Sequence, residues 1–251
     1  MTVTGRRKRP IASTAQCRED MMNRIAILLC GTCFVATAAF AAPTADEVKR
    51  LNEAASVVTE LRQAATGIPE TLWDKADCVV VIPSLKKAAF VVGGEAGEGV
   101  MSCRRANGWS APVFMHLAKG SFGLQIGAER VDLILLVMNQ RGADKLLADK
   151  VSLGADASIA AGPVGRSTEA ATDAQLSAEL LSYSRSQGLF AGIDLSGGVL
   201  RPDEKADARV YGPRLTAREI VDPGRKVHAP AAAQMFLHSL GPNAQAAARP
   251  R

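Results

Sequence analysis

The sequence predicts an α+β fold: a single domain of antiparallel β-strands, barrel-like or sandwich-like, with an N-terminal amphipathic helix and a few short helices. Two observations support this class. Apolar residues recur near the helical period between residues 44 and 65, and Gly67 and Pro69 end that segment. The chain then changes to short runs rich in Val, Ile and Phe that glycines separate, which is typical of consecutive strands.

The predicted helix over residues 44–65 has a polar face of mixed sign. It combines Glu53 and Glu60 with Arg50 and Arg62, whereas a helix that lies on a lipid surface is usually enriched in Lys and Arg. We therefore expect this helix to pack on the domain, with a membrane-surface role as the alternative.

The glycine-separated runs predict strands in the central part of the chain, at residues 78–82, 88–92, 100–104, 113–118, 122–127 and 131–138. The glycine-rich residues 93–99 resemble a phosphate-binding turn, but a strand-like run follows them and not a helix, and they contain two glutamates. We interpret them as a wide hairpin connection.

The remaining segments predict shorter elements. We expect a helix at 143–149, extended chain at 151–163, a hairpin formed by 179–186 and 189–196, and a short helix at 216–221 that Thr216 caps and Pro223 stops. Accordingly, 42–66 is the N-terminal helix, 67–222 the main domain and 223–251 an Ala/Pro-rich, partly disordered tail whose last ten residues are expected to be disordered.

Residues 21–41 have the pattern of a cleavable signal peptide. Arg24 precedes an apolar run over 25–40, and small residues surround Ala41. We expect cleavage near Ala41 and an exported product, periplasmic or secreted; the alternative is an uncleaved membrane anchor. Residues 1–20 are interpreted as an extension from a start codon assigned too early.

The predicted leader carries most of the positive charge. Six of the 30 Lys and Arg residues and two of the 25 Asp and Glu residues lie at or before Ala41, which leaves 24 basic and 23 acidic residues after it. The high overall pI therefore does not indicate nucleic-acid binding.

Two cysteines, Cys78 and Cys103, follow the leader. In an oxidising compartment two cysteines predict one disulfide, and two buried free thiols are the alternative. Metal and cofactor chemistry are not predicted, because the chain has three histidines, no H-E-x-x-H motif and no close Cys/His pair.

Several segments, taken in order, resemble the SYLF domain family, known from eukaryotic actin-patch and phosphoinositide-binding proteins and from exported bacterial proteins. They extend from Ile68 to about residue 221: Ile68-Pro69 before a strand, CVVVIPSLKKAAFVVGGEAGEGV, GWSAP, GSFGLQIG, GPVGR, YSRSQGLFAGIDLSG and Val210-Tyr211-Gly212. Val210 departs from the pattern, since the family often has an aromatic residue there.

The resemblance implies a compact α+β domain that binds lipid and performs no catalysis. For an exported protein, it implies an anionic phospholipid or membrane surface as partner. An envelope protein is the alternative partner, in which case the domain is a structural or protein-interaction module.

Basic residues in predicted turns are the candidate lipid-binding site. If Cys78 and Cys103 are bonded, the segments around them are held together, and the basic side chains near these segments form one anion-attracting patch: Lys86, Lys87, Arg104, Arg105 and Lys119. Such a patch gains about 1 kcal/mol per basic residue at an anionic surface. The alternative is that they are ordinary solubilising turn charges.

Two further patterns indicate weaker candidates. Strand alternation places Tyr183 and Arg185 on one face, where they could line a ligand groove. Ser84 and Lys87 fit the S-x-x-K pattern of serine-type envelope hydrolases, which requires both residues on one turn of a helix. The residues around Ser84 favour a strand instead.

Overall fold

The computed structural model describes residues 42–64, 67–106, 108–164, 177–186 and 189–241, without the side chains of 87–93, 121–129 and 190. The described residues belong to one compact unit. The predictions for the leader and for the last ten residues lie outside the described residues.

The helices of the described part are α1 (Ala45–Gln63), α2 (Glu70–Lys75), α3 (Gln140–Leu146), α4 (Glu204–Tyr211), α5 (Ala217–Val221) and α6 (Gln234–Ser239), with a 3-10 turn at Ala231–Ala233. The strands are β1 (Cys78–Arg105), β2 (Gly108–Trp109), β3 (Val113–Val137), β4 (Val151–Ser152), β5 (Ile159–Ala161), β6 (Leu180–Ser186), β7 (Leu189–Gly192) and β8 (Val199–Pro202). The predicted fold class is confirmed. None of the helices in the described ranges is long and apolar enough to cross a membrane.

Two long strands replace the six short ones that the sequence predicts. β1 and β3 pair antiparallel from Cys78 opposite Val137 to Met101 opposite Val113, with irregularities after Ile82 and Ala89. The prediction of a hairpin connection at residues 93–99 is wrong, because these residues continue β1 and pair with residues 115–121. Lys86 likewise lies within the strand and not in a turn.

The glycines of this segment allow the β1–β3 ribbon to fold back on itself. A Cβ atom on Gly99 would lie 2.1 Å from the Val81 carbonyl oxygen, and one on Gly97 would lie 2.6 Å from Ile82 Cγ2. Glycine in a strand often marks such a close approach of two backbones. The predicted disulfide is present, and it joins Cys78 and Cys103 at the two ends of β1.

The ribbon is the centre of a curled, half-barrel sheet in the order β2-β1-β3-β6-β5, with β7 on β6 and β8 bridging β3 and β4. All pairings are antiparallel except β5 with β6, so the sheet is mixed. One face contains Val80, Met115 and Leu135. The other packs against α1 and α6 and contains Ile134. Burial of both faces explains why the strands are continuously apolar.

The termini of the described unit pack together. Phe236 and Leu240 are fully buried against α1. Trp73 Nε1 donates to the Leu240 carbonyl over 3.3 Å, and Trp109 Nε1 donates to the Gly241 carbonyl over 2.9 Å. The part of the predicted tail that extends to Gly241 is therefore integral to the fold.

The short helices differ from the predictions in three places. α2 stands where Ile68-Pro69 were expected to precede a strand, and α3 begins three residues before the predicted helix because Asn139 caps it. α4 was not predicted; the Asp203 side chain accepts from the Ala206 N–H at its start. The predicted cap of α5 by Thr216 is confirmed.

We predict that Gly99→Ala destabilises the fold, because the added methyl group would collide with the Val81 backbone. The expected loss is about 2 to 3 kcal/mol in the free energy of unfolding, measured by urea denaturation. Gly120→Ala is the matched control, since nothing lies within 4 Å of its Cβ position, and its effect should be within about 0.5 kcal/mol. Equal effects of the two substitutions would contradict close contact between the ends of β1.

Candidate functional site

Arg104 is directed toward the end of a helix. Its Nε donates to the Ala76 carbonyl over 2.7 Å and its Nη2 to the Trp73 carbonyl over 2.6 Å. These carbonyls belong to the C-terminal end of α2, where the last carbonyl groups lack the N–H donors that a following helical turn would supply. The guanidinium also stacks on Trp109, 4.4 Å from the ring centroid. Burial lowers the pKa of Arg104, and the nearby Asp74 carboxylate partly opposes that shift.

Arg105 has the same type of role at another helix. Its Nη2 donates to the Ile220 carbonyl over 3.0 Å and its Nη1 to the Arg225 carbonyl over 3.3 Å. Ile220 belongs to the last turn of α5. Arg104 and Arg105, two neighbours among the five proposed lipid-binding residues, thus both bind backbone carbonyl groups at helix ends, and Lys119 binds a third backbone carbonyl.

The other candidates lie at separate places. Lys119 donates to the Asp194 carbonyl over 3.1 Å. Lys87 is opposite Glu129 in the strand register, and its side chain is among those not described. Lys86 is exposed. The structure therefore brings Arg104 and Arg105 close to the disulfide but gives Lys86 and Lys119 different surroundings.

An exposed pair of like charges emerges from the strand register. Lys86 on β1 is directly opposite Arg130 on β3, and both side chains are exposed. Side chains that are opposite each other across two strands lie on the same face about 5 Å apart, and like charges in that arrangement destabilise the sheet. Within the described residues, no ion pair involves either of them. We call Lys86 and Arg130 the basic rung.

Next to the basic rung lies an ion-paired network that involves Arg185. Its Nη2 is 2.7 Å from Asp132 Oδ2, and it also forms an ion pair with Glu60 at the C-terminal end of α1. Asp132 Oδ1 accepts the backbone N–H of Ser84 over 2.9 Å. Ser84 has a φ of 51°, in the left-handed region, at the irregularity in β1. Arg185 thus connects α1 to the sheet.

Tyr183 shares the face of Arg185, as the alternation predicts, but it does not line an open groove. It is fully buried in the cluster beneath α1. A Cβ atom on Gly162 would lie 2.0 Å from Tyr183 Cζ, so the ring packs on that glycine. Burial raises the pKa of the Tyr183 hydroxyl.

A second polar network connects α1, α4 and the sheet. Arg50 Nη2 lies 2.6 Å from Glu98 and its Nη1 3.1 Å from Asp203, and the guanidinium stands over the Phe114 ring. Asp207 Oδ1 accepts the Phe114 N–H over 2.9 Å, while its buried Oδ2 has no hydrogen-bond partner within the described structure. Burial raises the pKa of Asp207 to about 7, and the hydrogen bond from Phe114 opposes that shift.

The serine-enzyme geometry is not present at Ser84. The S-x-x-K chemistry needs the serine and lysine on one helical turn, whereas Ser84 and Lys87 both belong to β1. Among the described residues, no three or more His, Cys, Asp or Glu side chains are grouped so that they could hold a metal ion.

Comparison with known proteins identifies relatives over most of this structure. Residues 118–242 match the family described as "Ysc84: Las17-binding protein actin regulator". The chain is 35% identical over 174 residues to LAS seventeen-binding protein 3 of Saccharomyces cerevisiae, covering 67% of this chain and 37% of that protein. It is 34% identical over 178 residues to protein YSC84 of the same yeast, covering 69% and 37%.

An animal relative shows the same partial coverage. SH3 domain-containing YSC84-like protein 1 of Mus musculus is 32% identical over 156 residues, covering 61% of this chain and 46% of that protein. The chain therefore spans less than half the length of these relatives. Arg130, Tyr183 and Arg185 lie in the range that matches the family, and Lys86 and Arg104 precede it.

We predict that Arg104→Lys lowers stability, because one ammonium group cannot reproduce two guanidinium hydrogen bonds and the stacking on Trp109. The expected loss is about 1 to 2 kcal/mol in the free energy of unfolding, measured by urea denaturation. Arg214→Lys, in an exposed turn, is the matched control and should be neutral. A neutral Arg104→Lys would show that Arg104 does not stabilise the α2 end.

We predict that Asp207 makes stability depend on pH. Because its folded pKa is raised, its contribution is greatest at low pH and is lost as the pH rises toward about 7. Asp207→Asn removes the titration and keeps an acceptor for the Phe114 N–H. The melting temperature of the variant minus that of the wild type should therefore be larger at pH 8 than at pH 5. A difference that does not change with pH would rule out a raised pKa.

Proposed function

We propose, since this chain belongs to the Ysc84/SYLF domain family, that it is a non-enzymatic domain that attaches to anionic phospholipid through the basic rung. The observation that carries the proposal is the pairing of exposed Lys86 with exposed Arg130 across two strands. An anionic phosphate between two cations replaces their repulsion with attraction, so the pair gains more from such a ligand than two isolated cations would.

The rung is also placed so that it can reach a surface. On the face of the sheet that α1 covers, Ile134 and Leu136 are buried beneath the helix. The next residue of β3 on this face is Asp132, which is half-buried and forms an ion pair with Arg185. Arg130 is the next residue of β3 on the same face, because side chains alternate along a strand. The basic rung is thus the first position on this face that α1 leaves exposed.

We infer that the lipid is that of a cell envelope. This inference is supported by the signal-peptide pattern of residues 21–41 and by the disulfide between Cys78 and Cys103, a bond that persists in oxidising compartments. In such a compartment, anionic phospholipid headgroups are the phosphates that a fixed protein surface meets in quantity.

Protein binding is the second candidate function. The family description names binding to Las17, and the names of several relatives include an SH3 domain. The match covers only 37% of LAS seventeen-binding protein 3. Most of that protein is therefore outside the match, and the binding in its name does not have to reside in the matched part. The basic rung favours the phospholipid hypothesis, because every anionic headgroup presents a negatively charged phosphate, whereas a partner protein would need an acidic group at the matching position.

The test is flotation of the protein from residue 42 onward with vesicles of phosphatidylcholine alone and with vesicles that contain phosphatidylglycerol. We predict that the wild type floats only with the anionic vesicles. Lys86→Glu/Arg130→Glu should weaken this partition by at least about thirtyfold, since each basic residue near an anionic surface contributes about 1 kcal/mol.

The matched control is Lys205→Glu/Arg214→Glu, which makes the same change in charge at two exposed residues away from the rung. It should retain most of the partition. Equal losses in the two double variants would show that the net charge of the protein, and not the basic rung, determines the partition. Flotation of the wild type with neutral vesicles would contradict the proposal.

A further inference from the structure

Arg185 extends the cationic surface of the basic rung to a third strand. It is opposite Asp132 in the pairing of β6 with β3, and Arg130 is two residues from Asp132 on the same strand and the same face. Diagonal neighbours of this kind in a sheet are about 7 to 8 Å apart, within reach of long side chains. Lys86, Arg130 and Arg185 therefore place three cations side by side on β1, β3 and β6.

Two carboxylates pair with Arg185, and they differ in how firmly they are fixed. The Asp132 side chain is 15% exposed; its Oδ2 accepts from Arg185 Nε over 2.9 Å, and its Oδ1 accepts the Ser84 N–H. The Glu60 side chain, which pairs with Arg185 Nη1, is 53% exposed. An ion pair with an exposed partner adds little stability, because water competes for its charges. Asp132 is thus a fixed partner of Arg185, and Glu60 is an exchangeable one.

The position of Glu60 is unfavourable for α1 itself. Glu60 lies in the last turn of the helix, which ends at Gln63. The helix dipole favours cations at this end and disfavours carboxylates. A neutral side chain would suit the helix better, so the contact with Arg185 is what this carboxylate provides.

We propose that Arg185 is a third phosphate-binding residue beside the basic rung, and that Glu60 occupies it until a phospholipid headgroup takes its place. The inference rests on the proposed function and adds to it a competitor within the chain. Phosphate and carboxylate oxygens accept the same guanidinium hydrogen bonds. A headgroup phosphate that Lys86 and Arg130 attract therefore exchanges with Glu60 at Nη1. Asp132 keeps Nε and Nη2, so the guanidinium stays in place during the exchange.

Glu60→Gln tests this competition in the flotation experiment with phosphatidylglycerol vesicles. The variant removes the carboxylate and keeps the length of the side chain, so the partition should tighten about fivefold, the gain expected from one unit of charge near an anionic surface. Glu53→Gln is the matched control, because Glu53 is an ion-paired glutamate of the same helix, 42% exposed, about 10 Å from Glu60. That distance is about one Debye length, so the control should change the partition less than twofold.

A relocated carboxylate separates competition from net charge. Glu60→Gln/Asn52→Glu moves the acidic group about 12 Å along α1, to an exposed residue, and leaves the net charge of the protein unchanged. We expect a partition at least threefold tighter than that of the wild type. The melting temperatures of the Glu60 variants should stay within about 4 °C of the wild type, since the lost ion pair is exposed.

Arg185→Lys in the Glu60→Gln background tests the guanidinium group. A lysine that pairs with Asp132 keeps the charge but has no second edge of donors for a phosphate, so about threefold of the gain should be lost. An unchanged partition would show that Glu60 only repels headgroups, and it would overturn the assignment of Arg185.

Two further outcomes distinguish this inference from the proposed function. Equal partition of Glu60→Gln and Glu53→Gln, or wild-type partition of the relocated variant, would overturn the inference and leave the proposed function standing, because attraction by the basic rung does not depend on Glu60. Absence of flotation of the wild type with anionic vesicles would overturn both.

Discussion

The fold depends on the close approach between the two ends of one strand. β1 begins at Cys78 and ends at Arg105, and it bends so far that Gly97 and Gly99 contact the backbone near Val81 and Ile82. Because β3 pairs with β1 along most of this length, it follows the same curve. Its two halves then provide edges for β6 and β8, which pair with different parts of β3. The half-barrel therefore depends on Gly97 and Gly99, because only residues without a side chain leave room for the two ends of β1 to approach each other so closely.

The arginines show how position decides the role of a charge. Arg104 and Arg105 follow the disulfide and bind carbonyl groups at the ends of α2 and α5. Arg185 is held by carboxylates from α1 and β3. These guanidinium groups connect helices to the sheet. The Asp207 carboxylate on α4 does the same as an acceptor, because it binds the N–H of Phe114 on β3. Within the described part of the chain Arg130 forms no such ion pair, and this is the ground on which phospholipid is proposed as its partner.

Much of this fold follows from local patterns, and the rest follows from contacts that are distant in the sequence. The periodicity of α1, the cap at Thr216 and the strand at residues 131–138 are local, and they were predicted. The glycine-rich residues 93–99 were interpreted as a connection, because a single sequence does not distinguish a glycine in a turn from a glycine that another backbone approaches closely. α4 had a local signal at Asp203 that was overlooked. The basic rung had none, because the register that pairs Lys86 with Arg130 joins residues on two different strands.

The placement of the two tryptophans has a practical consequence. The chain contains only Trp73 and Trp109, and both indoles donate to carbonyls at the C-terminal end of α6, at Leu240 and Gly241. Departure of that helix would remove both hydrogen bonds and bring water to both rings at once. The intrinsic tryptophan fluorescence of the protein thus reports whether α6 is packed against the rest of the domain.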